Sequence, residues 1–290
     1  MHALRAAPAL LRRLAALLAL TVLLAACTTQ SVMQTAVPPL ASEKYAAIVV
    51  DARSGKVLYE RASNAPRYPA SLAKMMTLYL LFEALDDGRL RIDEEIPVSA
   101  FAAARPPSKM GIRRGGGIDT RSAILALAVR SANDVAVAVA ERLAGSEEAF
   151  ARAMTAKARQ LGMTGTVFRN ASGLPDDGQR TTARDMAVLS MALRSRFPHH
   201  YHYFSNREFV FGGKVVRGHN SLLGSVPGVD GLKTGYIRAS GFNLATSAGR
   251  GGRRIVAVVM GGDSVRARDA HMAALVETYL PRASAAGGGQ

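Results

Sequence analysis

A single cysteine, Cys27, stands in 290 residues, so no intramolecular disulfide can form and the fold must rest on its core. Acids are scarce as well: 22 Asp and Glu face 37 Lys and Arg, for a net charge of +15. No basic stretch is interleaved with aromatics, so nothing indicates a nucleic-acid surface. The basic balance fits either anionic envelope material or a solvated arginine-rich face. No internal repeat is visible. His199, His200 and His202 crowd together in HHYHY but lack i,i+4 ligand spacing and a carboxylate partner, so no metal site is expected, and no cofactor is implied. What the chain does have is apolar residues, 49% of the total, ample for a proper core.

The first 26 residues read as an export signal. MHALRAAPALLRR is basic with no acid, and the apolar run Leu14–Ala26 that follows is too short to favour a spanning helix. The run ends in Leu24-Ala25-Ala26-Cys27, which resembles the bacterial lipobox, whose cysteine is lipidated and becomes the mature N-terminus. Residues 27–41, polar and proline-containing, read as a tether. The body is expected over residues 42–281, with 282–290 a flexible tail.

Within the body, KYAAIVVDARSGKVLYERA gives two strands around a Ser54-Gly55 turn. A buried helix begins at Ser71, and the pattern is mostly helical from Ile118 to about Leu193, with a polar break at Arg130-Ser131-Ala132-Asn133. Strand signals return in REFVFGGKVVRG, GLKTGY, SGFNLATSAG and RRIVAVVMGGD, and a last helix runs from Arg266 to Leu280. Strands at both ends with helices between predict an α/β fold: an antiparallel sheet built from N- and C-terminal strands, flanked by helices, with an inserted helical lobe.

The stretch PASLAKMMTLYLLFEAL is apolar on nearly every face, yet carries Lys74 one turn in. Burial and the positive pole of the helix both disfavour an ammonium there. Ser71, three residues earlier, shares the lysine's face, and a lysine kept neutral can serve as the base that makes a serine nucleophilic. Neutrality at pH 7 requires a fall of about 3.4 units, roughly 4.6 kcal/mol. A second cation nearby would help supply it. Ser131 and Asn133 offer a hydroxyl and an amide between buried helices; Lys233, Thr234 and Gly235 offer a cation, a hydroxyl and a close backbone approach.

Serine-x-x-lysine, then Ser-Ala-Asn, then Lys-Thr-Gly is the ordered set of penicillin-binding proteins and class A β-lactamases. With PASLAKMMT, RSANDVAVAVAE, NASGLPDDGQRTTARDMA and GVDGLKTGYIRASGFNL, the chain from about Tyr45 to Leu280 closely resembles the D-alanyl-D-alanine carboxypeptidases, the low-molecular-mass penicillin-binding proteins. The resemblance implies a β-lactamase/penicillin-binding-protein-like fold and an acyl-enzyme on Ser71. In it Lys74 is the base, Ser131 a proton relay, and Asn133 positions Lys74 and the substrate amide. Lys233 and Thr234 hold the substrate carboxylate, Lys233 also depressing Lys74. The backbone N–H groups of Ser71 and Tyr236 are the oxyanion candidates. Peptidoglycan stem peptides are the implied substrate, β-lactams the implied covalent inhibitors, and the membrane a partner through the N-terminal lipid.

Three departures accompany the likeness. The chain ends just after the catalytic domain closes, where relatives carry a second, β-rich domain and an amphipathic helix, so the N-terminal lipid is expected to replace that anchor. Where some relatives place an arginine for the carboxylate, this chain has His219-Asn220, with Arg238 as a substitute. No ExxLN-like glutamate lies between Asn133 and Lys233, which argues against a class A β-lactamase. A DD-endopeptidase would use the same residues, and a catalytically silent scaffold would be marked by loss of Ser71 or Lys74, both present.

Overall fold

Apolar runs on either side of Ser54-Gly55 fold into β1 (Ala46–Asp51) and β2 (Val57–Arg61), paired antiparallel. The computed structural model describes residues 37–285; the leader 1–26, Cys27, the tether up to residue 36 and residues 286–290 lie outside the described residues. From the other end of the chain come β7 (Val229–Ile237), β8 (Gly241–Arg250) and β9 (Arg253–Gly262). The five strands form one antiparallel sheet in the order β2-β1-β9-β8-β7, with Ala46 opposite Met260 and Thr234 opposite Leu244. The N-terminal hairpin therefore lies beside the last strand, as expected.

In β9 every residue from Ile255 to Gly262 is buried, so both sheet faces are covered. Val256, Val258 and Met260 join the main core, and the alternate residues Ile255, Ala257 and Val259 turn to the other face. Between the N- and C-terminal strands runs the helical lobe. Its first member, α1 (Lys74–Asp86), is buried on nearly all sides, and a 3-10 turn, Ala70–Ala73, leads into it. After α1 come a two-stranded ribbon of β3 (Glu95–Pro97) and β4 (Gly117–Asp119) and a one-turn helix α2 (Ala100–Ala103). The lobe continues with α3 (Thr120–Leu125), α4 (Asn133–Ala144) and α5 (Glu147–Gln160). Two helices pack on the sheet: α6 (Ala183–Arg196) and α7 (Val265–Tyr279). The hairpin expected around Gly212-Gly213 is β5 (Glu208–Phe211) with β6 (Lys214–Arg217).

Two expectations are corrected. Helix does not run through residues 161–182, which form turns with two isolated bridges, Arg67 to Thr181 and Val167 to Arg180. The reason is turn chemistry: Asn170 Oδ1 accepts from the amides of Ser172 and Gly173, closing a local turn against the helix. The chain also remains docked past Pro281, since Arg253 donates to the carbonyl of Ala283 and Ser284 N donates to Asp51 Oδ2 (2.8 Å).

Candidate active site

Ser71 lies in the 3-10 turn, one residue after Ala70, which is held at φ +48°. Residues i and i+3 eclipse in such a turn, and Ser71 Oγ comes to 3.2 Å from Lys74 Nζ. Lys74 is fully buried, and its Nζ donates to Asn133 Oδ1 (2.7 Å) and to the Ser172 carbonyl (2.6 Å). A neutral amine has two N–H bonds and one lone pair. The two short contacts occupy the N–H bonds, so the lone pair is left for the Ser71 hydroxyl. Burial, and then the neighbouring Lys233, hold the Lys74 pKa well below the ordinary lysine range, against the opposing pull of Asp134 and Glu147.

Asn133 opens α4 directly after the polar break, and its Nδ2 donates to Pro106 O (2.9 Å). Ser131, in the break, adopts left-handed backbone at φ +63°, costly for a non-glycine residue and typical of a functional constraint. Its Oγ is buried without a hydrogen-bond partner among the described residues. Opposite stands β7. Gly235 passes so close to the 3-10 turn that a Cβ there would lie 3.0 Å from Ser71 N. A side chain there would crowd the backbone of the turn, which glycine avoids. Lys233 is buried and donates to Thr234 O (3.0 Å), and burial, then Arg268, pushes its pKa down to about 7.

These groups surround one cleft of about 540 Å³. Ser71, Ser131, Asn133, Thr234, Gly235 and Tyr236 line it, while Lys74 and Lys233 lie buried behind them. A larger cavity of about 670 Å³, at the β8–β9 turn, is lined by five arginines and holds none of these groups. The cleft thus offers a hydroxyl beside a buried amine, a second, unpaired hydroxyl and a cationic wall.

The profile of the D-alanyl-D-alanine carboxypeptidase family matches residues 31–264. The chain belongs to this family. It is 34% identical over 243 residues to the D-alanyl-D-alanine carboxypeptidase DacF of Bacillus subtilis, which covers 82% of this chain and 62% of DacF. The chain therefore spans about three fifths of that relative's length. Among solved structures it is similar to the D-alanyl-D-alanine carboxypeptidase DacD from Francisella tularensis, with TM-score 0.81 and 29% identity over 84% of this chain and 71% of that one. It is also similar to penicillin-binding protein D2 from Listeria monocytogenes in its cefotaxime-bound form, with TM-score 0.73 and 32% identity over 80% of this chain and 95% of that one. The fold is that of the penicillin-binding proteins and β-lactamases.

Arg238, the expected substitute for the carboxylate arginine, is not brought to the cleft. It sits exposed in the turn after β7, and its carbonyl accepts from Lys44 Nζ (3.0 Å). The cleft instead receives Arg268 from the first turn of α7. That arginine is only 3% exposed and is held by Asp269 Oδ1 (Nε, 2.8 Å) and Asn243 O (Nη1, 3.3 Å). His219 lines the cleft too, its pKa lowered by burial and then by Lys233.

Asn243 is a second residue missed from sequence. Fully buried in β8, it donates through Nδ2 to Tyr68 O (3.1 Å) and Pro69 O (3.2 Å) and accepts from Gly261 N (3.0 Å), tying the segment before Ser71 to the sheet. Its signal in the sequence is an amide among the small and apolar residues of GFNLATSAG, within the block GVDGLKTGYIRASGFNL. The histidine reading also needs correction: HHYHY does have a carboxylate partner, Asp86, contributed by the distant end of α1.

Proposed function

We propose that this protein is a serine-type D-alanyl-D-alanine carboxypeptidase that removes the terminal D-alanine from peptidoglycan stem peptides and is acylated by β-lactams. The observation that carries the reading is the buried Lys74, with both N–H directions occupied by carbonyl-type acceptors and Ser71 Oγ 3.2 Å away. Ser71 Oγ attacks the carbonyl carbon of the D-Ala-D-Ala bond while its proton passes to the Lys74 lone pair, and the carbonyl electron pair moves onto oxygen. The backbone N–H groups of Ser71 and Tyr236 receive that oxyanion. Its collapse expels the D-alanine amine, which takes a proton from Lys74 through the Ser131 hydroxyl. Water then attacks the ester by the same proton path in reverse, releasing the shortened peptide and restoring Ser71. Thr234, Lys233 and Arg268 form the wall for the terminal carboxylate, with Asn133 placed to orient Lys74 and the scissile amide.

Incubating the protein with a stem pentapeptide and with crosslinked muropeptides, followed by mass spectrometry, tests the proposal. Free D-alanine from the pentapeptide, together with a single penicillin adduct that Ser71→Ala abolishes, is the expected result. An adduct retained in Ser71→Ala overturns the assignment of the nucleophile. Cleavage of crosslinks without release from pentapeptide makes the protein an endopeptidase.

The chain's place is the cell envelope, attached through a lipidated Cys27. Cys27→Ser should lose the diacyl mass and move to the soluble fraction. An unmodified wild-type N-terminus at another position refutes the anchor.

A further inference from the structure

His199 Nε2 and His200 Nε2 lie 2.9 and 3.0 Å from the same oxygen, Oδ1 of Asp86, 113 and 114 residues away in sequence. The three ligand atoms fall within 4.8 Å of one another. Two ligands each about 2.05 Å from a common ion are about 2.9 Å apart at a right angle and about 3.3 Å apart at the tetrahedral angle. The observed contacts match the first spacing and reach the second by a shift of a few tenths of an ångström.

The cluster is held by the surrounding packing. Phe82 and Asp86 are i and i+4 on α1 and so share a face. The His200 ring stacks on the buried Phe82 (centroids 4.9 Å, 18°), which directs its Nε2 along the helix toward Asp86. On one side of the histidine turn Phe197 is anchored edge-on against Tyr79 (4.9 Å), and on the other Tyr203 and Phe204 pack on Phe82 (6.3 and 6.1 Å). Asp86 is also the last residue of a 13-residue helix with no basic side chain in its final turn. The negative pole of that helix favours a cation there. With the His200 side chain 16% exposed and His199 55% exposed, the inner ligand is fixed and the outer one faces solvent.

We propose that Asp86, His199 and His200 form a site for one first-row transition metal ion, with Zn²⁺ the best fit to two imidazoles and a carboxylate, its remaining positions filled by water. Two nitrogen donors select such ions over Mg²⁺ and Ca²⁺. The ion would clamp the end of α1 to the segment that continues into the 3-10 turn Tyr201–Ser205, where Ser205 Oγ donates to Asp230 O (2.7 Å) in β7. It would thereby link the helix that carries Lys74 to the strand that carries Lys233, away from the cleft itself.

The test titrates tag-free, full-length protein with Zn²⁺, and with Co²⁺ as a spectroscopic probe. One ion should bind per chain, and a hundredfold excess over Kd should raise Tm by about 5–10 °C. Asp86→Asn, His199→Ala and His200→Ala should each weaken binding about tenfold or more, while His202→Ala leaves it unchanged. X-ray absorption of the wild-type Zn²⁺ complex, which needs no variant to fold, should show two imidazoles and oxygen ligands. Equal uptake by wild type and by the triple variant, or a coordination shell without histidine, overturns the site. Penicillin acylation by His199→Ala should match wild type, since the site lies outside the cleft.

Discussion

Helix α1 treats a lysine differently at its two ends. At its start Lys74 is fully buried, and its partners are neutral: an amide oxygen, a carbonyl and a hydroxyl. Nine residues on, Glu83 receives Lys157 from α5 at 2.7 Å, in a pair whose side chains are 19% and 14% exposed. The fold can therefore supply a carboxylate to a lysine against this helix and does so where the lysine has no chemistry to perform. Near Lys74 the acids are turned to other work. Asp134 accepts from the amides of Met110, Gly111 and Val135, and Glu147 accepts from Ala171 N. Among the described residues Lys74 is left without a carboxylate partner, and its pKa stays low.

The most severe way to break this contrast is Lys74→Met. With no base beside Ser71, penicillin acylation should fall roughly 10³-fold or more. Adduct formation over time, followed by intact-protein mass spectrometry, reads the rate. A Lys74→Met enzyme within tenfold of wild type would mean the base lies elsewhere.

A smaller effect is expected from the second cation. Lys233 depresses Lys74, so Lys233→Met should move the rising limb of acylation against pH to higher pH and slow the reaction about tenfold for each unit lost, measured below that limb. Lys233→Arg keeps the charge and should stay nearer the original midpoint. Lys233 itself, pushed down to about 7, loses its charge as pH rises through that value, so turnover of a carboxylate-ended peptide should fall on the alkaline side. A carboxamide-ended peptide should lack that falling limb. The limbs belong to the coupled pair. An unmoved rising limb in Lys233→Met would leave burial alone to hold Lys74 neutral.

How much of this was legible in sequence follows from the range of each contact. Ser71 and Lys74 are three residues apart, and the break at Ser131 interrupts a periodic pattern, so both could be read directly. The sheet could be read from its hairpins. That Ser71 sits in a 3-10 turn could not be, because β7 presses on it through Gly235, 164 residues away. The Ser172 carbonyl left no mark on the sequence at all, since any residue has one. Arg268 stood among many arginines, and only the packing of α7 beside β8 singles it out. Arg238 lies three residues past Lys-Thr-Gly along the chain, but the turn after β7 carries it outward.

Stability sharpens the contrast further. Lys233 Nζ has one acceptor, Thr234 O, and no acid among the described residues, so burying its ammonium opposes folding. Its folded pKa lies below the unfolded one; the penalty is full below about pH 7 and fades as pH rises toward the ordinary lysine value, where the unfolded chain also loses its proton. Lys233→Met should therefore stabilise the protein at neutral pH by about 1–2 kcal/mol, a rise in Tm of about 2–8 °C, with the advantage shrinking in alkaline buffer. A lower Tm at pH 7 would show that the ammonium is compensated after all.

The same substitution at Lys157 should have the opposite sign and a smaller size. There the ammonium stands on Glu83, and the carboxylate is also 3.9 Å from Arg196. Removing Lys157 leaves Glu83 mostly shielded from water with one distant, exposed cation, a loss of about 0.5–1 kcal/mol for a pair near the surface. Part of it returns in Lys157→Met/Glu83→Leu, since replacing both partners of a shielded pair with apolar groups leaves no charge stranded. Thermal melts of the two single Lys→Met variants and the double variant, at pH 7 and in low and high salt, measure these terms. The Lys157 effect should shrink with salt because the pair is partly exposed, whereas the Lys233 effect, sealed from solvent, should not. If both lysines responded to methionine with the same sign, the fold would not distinguish the unpaired lysine of β7 from the paired lysine of α5, and the case for Lys74 as a base kept neutral by its surroundings would rest on its own burial.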